Sequence, residues 1–488
     1  MKILLGPILG YEFNCYTICF LSDNDGAPKL TIDGSGVAFD KITQTPQGFF
    51  WRAQKQIPPE KASKEISYQI SANNIDLEDV FKRKSWSFHV PGQQESPKLA
   101  YASCNGFSSV KLVRDTKEPY KLWKMLSEEH TTAPFSLLLM GGDQVYADGL
   151  WESNQNPILK AWSHKSREDQ IKTKLTKALS KELDGFYGQL YIDAWGIDSN
   201  MALMLASIPS VMMWDDHDIF DGWGSYPNDF LECDVYKEIF KKARKYFELF
   251  QIRSLKNNNL LNKAGDHYAL GLQFGDFAIL AVDTRRDRTM NQIMSDKQWV
   301  DVKNWLDNSK NNGIKQFLSL VSLPLAYRDF ALIDQALQGS PWHEELEDDA
   351  HDHWTVKSHQ GERMRLIRHF LDFTHEHTCK SVVLSGDVHI GALGLIRDKT
   401  LSVEMTQVVS SAIVHPTPTM FEWLGIQAVT SGEKQFLGKG DVTTEIIKPF
   451  GSDEYIITRN FVTLKMGSDN KLWINWICEN GLKPEYPV

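Results

Sequence analysis

Apolar and polar positions repeat at two different periods along the chain, and the period changes near residue 95. Before that point, short runs rich in aromatic and β-branched residues at 13–21, 48–53, 66–70 and 86–90 are separated by turn signals such as Ser22-Asp23-Asn24-Asp25-Gly26. This pattern predicts strands. The apolar stretch 3–9 reads as the first of them. Strands sharing one apolar face must bury it against a second sheet, so residues 1–92 are expected to form a small immunoglobulin-like β-sandwich. Pro91-Gly92-Gln93-Gln94-Glu95-Ser96-Pro97 then reads as a linker, polar and broken by proline.

From residue 98 to 488 apolar strand-like runs alternate with amphipathic helices, the pattern of an α/β domain. Helices are predicted over 120–130, 234–250, 296–309 and 362–375. In the second, Val235, Ile239, Ala243, Phe247 and Phe250 recur every three to four residues, while Lys237, Lys241, Arg244 and Lys245 fall mostly elsewhere. That helix turns one face to the core and one to water, and carries no basic binding stripe. The acidic stretch 344–352 reads as a loop.

Composition narrows the function classes. Lysine and arginine number 53 against 63 acids, a net charge of −10, so the chain as a whole is not drawn to phosphate backbones. No apolar run approaches the ~20 residues of a membrane helix. Neither a nucleic-acid nor a membrane partner is expected. Six scattered cysteines form no disulfide framework and no C-x-x-C pair. Lys2 and the apolar run after it lack a small-x-small cleavage site and are interrupted by Glu12, so a cytoplasmic protein is expected.

Chemistry collects where apolar runs end. The run 135–140 leads into Gly141-Gly142-Asp143-Gln144-Val145-Tyr146-Ala147-Asp148, and 208–214 into Asp215-Asp216-His217-Asp218. The run 277–282 leads into Asp283-Thr284-Arg285-Arg286-Asp287-Arg288, 381–384 into Ser385-Gly386-Asp387-Val388-His389, and 99–102 into Ser103-Cys104-Asn105. In α/β sheets ligands bind beyond the carboxyl ends of the strands. Five such ends would converge on one crowded pocket. Crowded carboxylates repel one another unless positive charge separates them, and metal ions supply it. A pair of ions ~4 Å apart is the usual arrangement for hydrolysing phosphate esters.

The order Gly-Asp-x-x-Tyr, Asp-Asp-His-Asp and Gly-Asp-x-His resembles the metallophosphatase (calcineurin-like phosphoesterase) superfamily, and most closely its PhoD-like alkaline phosphatase branch. That branch also carries an Ala-Ser-Cys segment, here Ala102-Ser103-Cys104, and Asp-Thr-Arg with a later Arg, here Asp283-Thr284-Arg285 and Arg288. A Gln-x-x-x-x-x-Trp-Leu helix follows, here Gln298 through Trp305-Leu306. The resemblance implies a four-layer α/β/β/α sandwich preceded by an N-terminal β-sandwich. It implies Asp143 as a carboxylate bridging two metals, with Tyr146 as phenolate and Cys104 as thiolate on the first, favouring ferric iron. Asp216 and Asp387 stand where the superfamily has Asn and His, which turns the second site toward calcium; His389 matches the last motif histidine. Two divalent ions, zinc or manganese, are the alternative. His217 matches the histidine that protonates the leaving group, and Arg285 with Arg288 would neutralise phosphoryl oxygens. A hydroxide held by the ions would attack phosphorus in line. The double glycine before Asp143, Gln144 and Asp218 depart from the best-known PhoD-like pattern and mark a divergent subgroup.

The expected activity is therefore metal-dependent hydrolysis of a small phosphate ester. A phosphodiesterase on the same site, or a non-catalytic binding protein on this scaffold, are the alternatives. His351-Asp352-His353-Trp354 looks like a metal motif in isolation; beside several acids it reads as a solvated loop, with Asp352 or Trp354 at most lining the pocket. His375 and His377 read as companions of a helix C-terminus.

Overall fold

The structure is a computed structural model describing residues 1–309, 313–329, 353–432 and 434–488. Two large sheets lie face to face. The first has ten strands, in the order Glu485–Pro487, Leu472–Cys478, Asn460–Met466, Leu99–Ala102, Leu137–Gly141, Ser210–Met213, Ile3–Glu12, Cys15–Ser22, Phe49–Gln56, Asp40–Gln44. Its centre is parallel, from Leu99–Ala102 through Leu137–Gly141 and Ser210–Met213 to Ile3–Glu12. The second holds Phe277–Ala281, Gln316–Leu320, Lys380–Ser385 and Val403–Val409 as parallel neighbours, with antiparallel strands at its flanks.

Alternation along these strands builds the layers. Leu318, Leu320, Val382, Leu384 and Val408 join the large core shared with the first sheet. Their neighbours Phe317, Val383 and Met405 point the other way, into a second core with Trp299, Val302, Leu366 and Phe370 from helices Asp296–Asn308 and Gln360–His377. Helices Lys121–Thr132 and Ser199–Ser207 cover the outer face of the first sheet. The result is the expected α/β/β/α arrangement. Helix Asp234–Phe250 has the bounds that its apolar period predicts, and the other three predicted helices are each within two residues at either end.

The N-terminal region differs from expectation in one respect. Antiparallel strands do precede the α/β layers, but Ile3–Glu12, Cys15–Ser22, Phe49–Gln56 and Asp40–Gln44 are strands of the first sheet itself. Only Lys29–Ile32, Ser35–Ala38, Lys64–Ala72, Ile75–Asp76 and Ser85–Val90 make a separate sheet. The first sheet thus runs through the division expected at residues 92–98. The physical reason is visible in Ile3–Glu12, whose last six residues are all buried. A strand with no watered face belongs inside a covered sheet, not on a sandwich of two thin layers. Gly10 pairs with Ser210, whose hydroxyl donates to the Leu9 carbonyl at 3.0 Å.

Helices Lys177–Trp195 and Ser199–Ser207 are among the elements outside the predicted set. The acidic stretch 344–352 lies outside the described residues, as do His351 and Asp352. Trp354 is fully buried in the second core, which removes it from any pocket wall.

Candidate metal centre

The strand ends do converge, and local hydrogen bonds fix their loops. After Leu137–Gly141 the backbone passes through Gly142 at φ 92°, a conformation open to glycine and strained for other residues, and so delivers Asp143. Asn105 N–H donates to the Asp143 carbonyl at 2.9 Å, tying the cysteine loop to the aspartate loop. Asp218 ties the aspartate loop to its neighbour. Its Oδ2 accepts from the backbone N–H of Gln144 at 3.1 Å and of Asp215 at 3.0 Å, and its Oδ1 from Gln251 Nε2 at 2.7 Å. Burial raises the Asp218 carboxyl to about 8 despite those donors. Trp195, at the end of the long unpredicted helix, donates from Nε1 to the Gln144 carbonyl at 3.0 Å, so that helix buttresses the site.

Among the described residues, three groups of ligand atoms lie within 4.8 Å of one another: Asp143, Asp216 and His217; Asp215, Asp216 and Asp387; and Asp148, His217 and Asp221. Asp143 is fully buried; its Oδ2 accepts from the Tyr146 hydroxyl at 3.1 Å, and its Oδ1 has no hydrogen-bond partner. Burial pushes its carboxyl well up, and Asp216, Asp215 and Asp218 add to the rise against the opposing pull of His217. Asp216 accepts the Gly222 N–H on Oδ2 at 2.8 Å and faces Arg285 Nη2 from Oδ1 at 3.2 Å. His217 Nδ1 lies 2.8 Å from Asp148 Oδ1. Burial opposes charging of this ring, but Asp148, Asp216 and Asp143 together hold its pKa well above the ordinary value.

The other expected ligands surround this group. Cys104 is fully buried at φ 52°, and its thiol is pushed well up by burial and by the charges of Asp143 and Asp387. Tyr146 sits with its ring 4.4 Å from His217, and burial, then Asp143 and Cys104, raise its hydroxyl. A Cβ at Gly106 would collide with that ring, so the cysteine loop needs glycine there. Asp387 and His389 both have left-handed backbone, at φ 69° and 52°, which turns the loop after Lys380–Ser385 sharply back on itself. The His389 ring bonds to the Ser411 backbone, and its Nδ1 is buried with no hydrogen-bond partner. Cys104 and His389 stand outside these three groups, while the Tyr146 hydroxyl lies 3.1 Å from Asp143 Oδ2. The donor set fits metal ions: buried oxygen, nitrogen and sulfur, including two buried atoms, Asp143 Oδ1 and His389 Nδ1, that the protein itself does not satisfy.

Two residues without an expected role belong to the centre. Asp148 orients His217. His415 stacks on His389 at 3.8 Å and on Tyr146 at 5.5 Å, with its backbone N–H donating to the Cys104 carbonyl at 3.1 Å. Burial, with the neighbouring His217, pushes its pKa down to about 4. One expected role meets a different geometry. Arg285 is fully buried, and its guanidinium is engaged by Asp215 through Nε, by the Trp223 carbonyl through Nη1 at 3.2 Å and by Asp216 through Nη2. Arg288 is also buried, with its stem against Gly224 in the same loop as Trp223.

A sequence model of PhoD-related phosphatases matches residues 83–341 and 340–426, well over half of the protein. The chain belongs to the PhoD-related phosphatase family. This PhoD-related chain is 25% identical over 418 residues to the uncharacterized protein YGR266W of Saccharomyces cerevisiae, covering 72% of the chain and 57% of that relative, so it spans little more than half the relative's length. Its fold is similar to that of the purple acid phosphatase PPD1 from yellow lupin (Lupinus luteus) seeds, with a TM-score of 0.55 and 11% identity over 99% of this chain and 73% of the lupin protein. A dimetal phosphatase from Danio rerio aligns with 81% of the chain and 99% of its own length at 9% identity and a TM-score of 0.40. The PhoD-related chain thus has a metallophosphatase fold carrying a candidate cluster of Asp and His ligands.

Proposed function

We propose that the chain hydrolyses phosphate esters at the centre built from Asp143, Asp216, His217 and Asp387. The observation that carries this reading is the buried Oδ1 of Asp143, without a hydrogen-bond partner and surrounded by further carboxylates. An anion so placed calls for a cation. Asp143 would bridge two ions, with Cys104 and Tyr146 on the first and Asp216 and Asp387 on the second, His389 completing the set through Nδ1. Thiolate and phenolate favour ferric iron at the first position; the carboxylates favour a hard ion such as calcium at the second, with zinc or manganese as the alternative pair. Bound ions would supply Lewis acidity toward the phosphoryl group and a nucleophile at neutral pH.

The protein's own groups supply the rest. Asp148 fixes Nδ1 of His217, and Nε2, 3.8 Å from Asp221 Oδ1, hands a proton to the departing alkoxide, work usually worth ~10²–10⁴-fold. Arg285 acts as a positioning residue that holds Asp215 and Asp216 in place, and Arg288, from the same turn, neutralises phosphoryl oxygen.

The test is Asp143→Asn, measured for metal content and for turnover of a phosphate monoester. Loss of metal together with most of the activity is expected, because one ligand serves both ions. Normal metal stoichiometry with normal turnover would remove the assignment.

A further inference from the structure

Two helices beside the centre leave apolar side chains in water. Helix Met420–Val429 begins a few residues after His415 and is capped by Thr419, which exchanges hydrogen bonds with Glu422. Trp423 faces inward, its ring 4.8 Å from that of Tyr455 and under the guanidinium of Arg328. The opposite face is open: Met420 is 61%, Phe421 87% and Leu424 56% exposed. The short helix Val110–Asp115 springs from the cysteine loop, with Val110 85% and Val113 52% exposed. The two loops behind these helices touch, since Ser108 Oγ lies 3.2 Å from His415 Nε2. Lys111 acts on Glu422, whose carboxyl is held down first by Thr419 and also by that ammonium. Both apolar faces therefore belong to one rim, and the same rim carries Cys104 and His415 into the centre.

We propose that this rim docks on an anionic lipid surface, and that the ester brought to the centre is a lipid phosphate. The docking stands on the surface alone; the substrate class rests on the hydrolase reading above. Single exposed apolar residues are ordinary, but five large ones on two adjoining helices at the edge of one site mark an interaction surface. Charge selects the partner. Residues 109–121 hold four cations, Lys111, Arg114, Lys117 and Lys121, against two anions, Asp115 and Glu118, which pair with Arg114 and Lys121 and leave an excess of two positive charges on a chain whose net charge is −10. An apolar face flanked by basic side chains is the pattern of segments that lie in a membrane interface and favour acidic headgroups. Among the described residues no helix is long and apolar enough to cross a membrane. The proposal departs from the sequence-based expectation of no membrane partner.

The experiment is co-sedimentation of the full chain with vesicles of phosphatidylcholine alone and of phosphatidylcholine with phosphatidylserine. Binding to the mixed vesicles, weakened at about 1 M salt where screening reaches only about 3 Å, is expected. The double variant Phe421→Ser with Leu424→Ser should bind roughly tenfold or more weakly, given what burying two such side chains contributes. Its hydrolysis of a soluble nitrophenyl ester should be unchanged, which separates a failure of docking from a failure of the hydrolase reading. Lys111→Glu with Arg114→Glu should weaken binding to the mixed vesicles and serves as the second variant. No sedimentation with either vesicle overturns the proposal, as does binding indifferent to both variants. A dimer in analytical ultracentrifugation that the double variant dissolves would also overturn it, assigning the rim to a second copy of the chain.

Discussion

His217 Nδ1 and Asp148 Oδ1 face each other at 2.8 Å, and this contact decides which nitrogen of the ring serves the substrate. A carboxylate on one imidazole nitrogen fixes the tautomer and orientation of the ring, and its removal typically costs 10–100-fold. Asp148→Asn is therefore expected to slow alkyl phosphate hydrolysis by roughly that factor while sparing nitrophenyl esters, whose leaving group needs no proton. Steady-state rates on the two ester types check this. Equal losses would make His217 a metal ligand or a phosphate-positioning group.

Tyr146 and Cys104 are the phenolic and soft donors of the centre, and burial holds both well above their ordinary pKa values. They bind only after losing a proton, which a trivalent ion promotes far better than calcium. Protein prepared with iron is expected to be coloured by a phenolate-to-iron band in the visible spectrum. Tyr146→Phe should abolish that band, and Cys104→Ala should shift it or loosen the iron. A colourless, iron-replete preparation indifferent to Cys104→Ala would establish a pair of divalent ions.

Arg285 and Asp215 form a fully buried pair. Arg285→Gln leaves Asp215 without its cation, and breaking a buried pair from one side costs about 3–5 kcal/mol. Thermal unfolding should show the loss, and adding Asp215→Asn should restore much of it. With Arg285 as a positioning residue, kcat and metal content fall while KM stays put; a rise in KM alone would return it to the phosphate.

One source of acid sensitivity lies away from the metal ligands. His130 Nδ1 accepts the Phe135 N–H at 3.1 Å, so the folded chain holds this ring neutral, and burial with His89 and Lys98 pushes its pKa down to about 4. An unfolded histidine titrates near ~6.5. Between those values the unfolded chain takes up a proton that the folded chain refuses, so stability falls as pH falls through that window. His130→Asn keeps an acceptor and removes the titration. Urea midpoints measured from pH 7 to pH 4 should then decline less steeply, by no more than about 3 kcal/mol over the window. An unchanged slope would exclude His130 as a source.

Much of the centre is legible in the chain because buried strands are continuous apolar runs, and an acid at the end of such a run stands out. Asp143, Asp216 and Asp387 are found that way, and Tyr146 through the resemblance of Gly-Asp-x-x-Tyr to a known family's motif. Asp148 ends one of the same runs, but only the fold reveals that a histidine 69 positions away needs it. His415 lies between Val414 and Pro416 in no motif, and its stacking on His389 is a tertiary fact. Arg285 reads as a free fork in the sequence, since nothing there tells that Asp215 lies against it. Helix Lys177–Trp195 buries Leu179, Leu183, Tyr187, Tyr191 and Trp195 at regular spacing, yet Gly185 and Gly188 interrupt it, and glycine weakens a helical reading. The N-terminal strands are recognised as strands, but alternation alone does not say which sheet a strand joins.

The pairing of Gly10 with Ser210 sets a timetable for synthesis. Strand Ile3–Glu12 leaves the ribosome well before its parallel neighbour, which follows some two hundred residues later. At about 5–20 residues per second that is a wait of roughly ten to forty seconds. During it, an apolar strand has an open edge on the side that Ser210–Met213 will occupy, the kind of edge that recruits other chains. A nascent chain of this protein should therefore engage chaperones early and let go of them only after residue 213 has emerged.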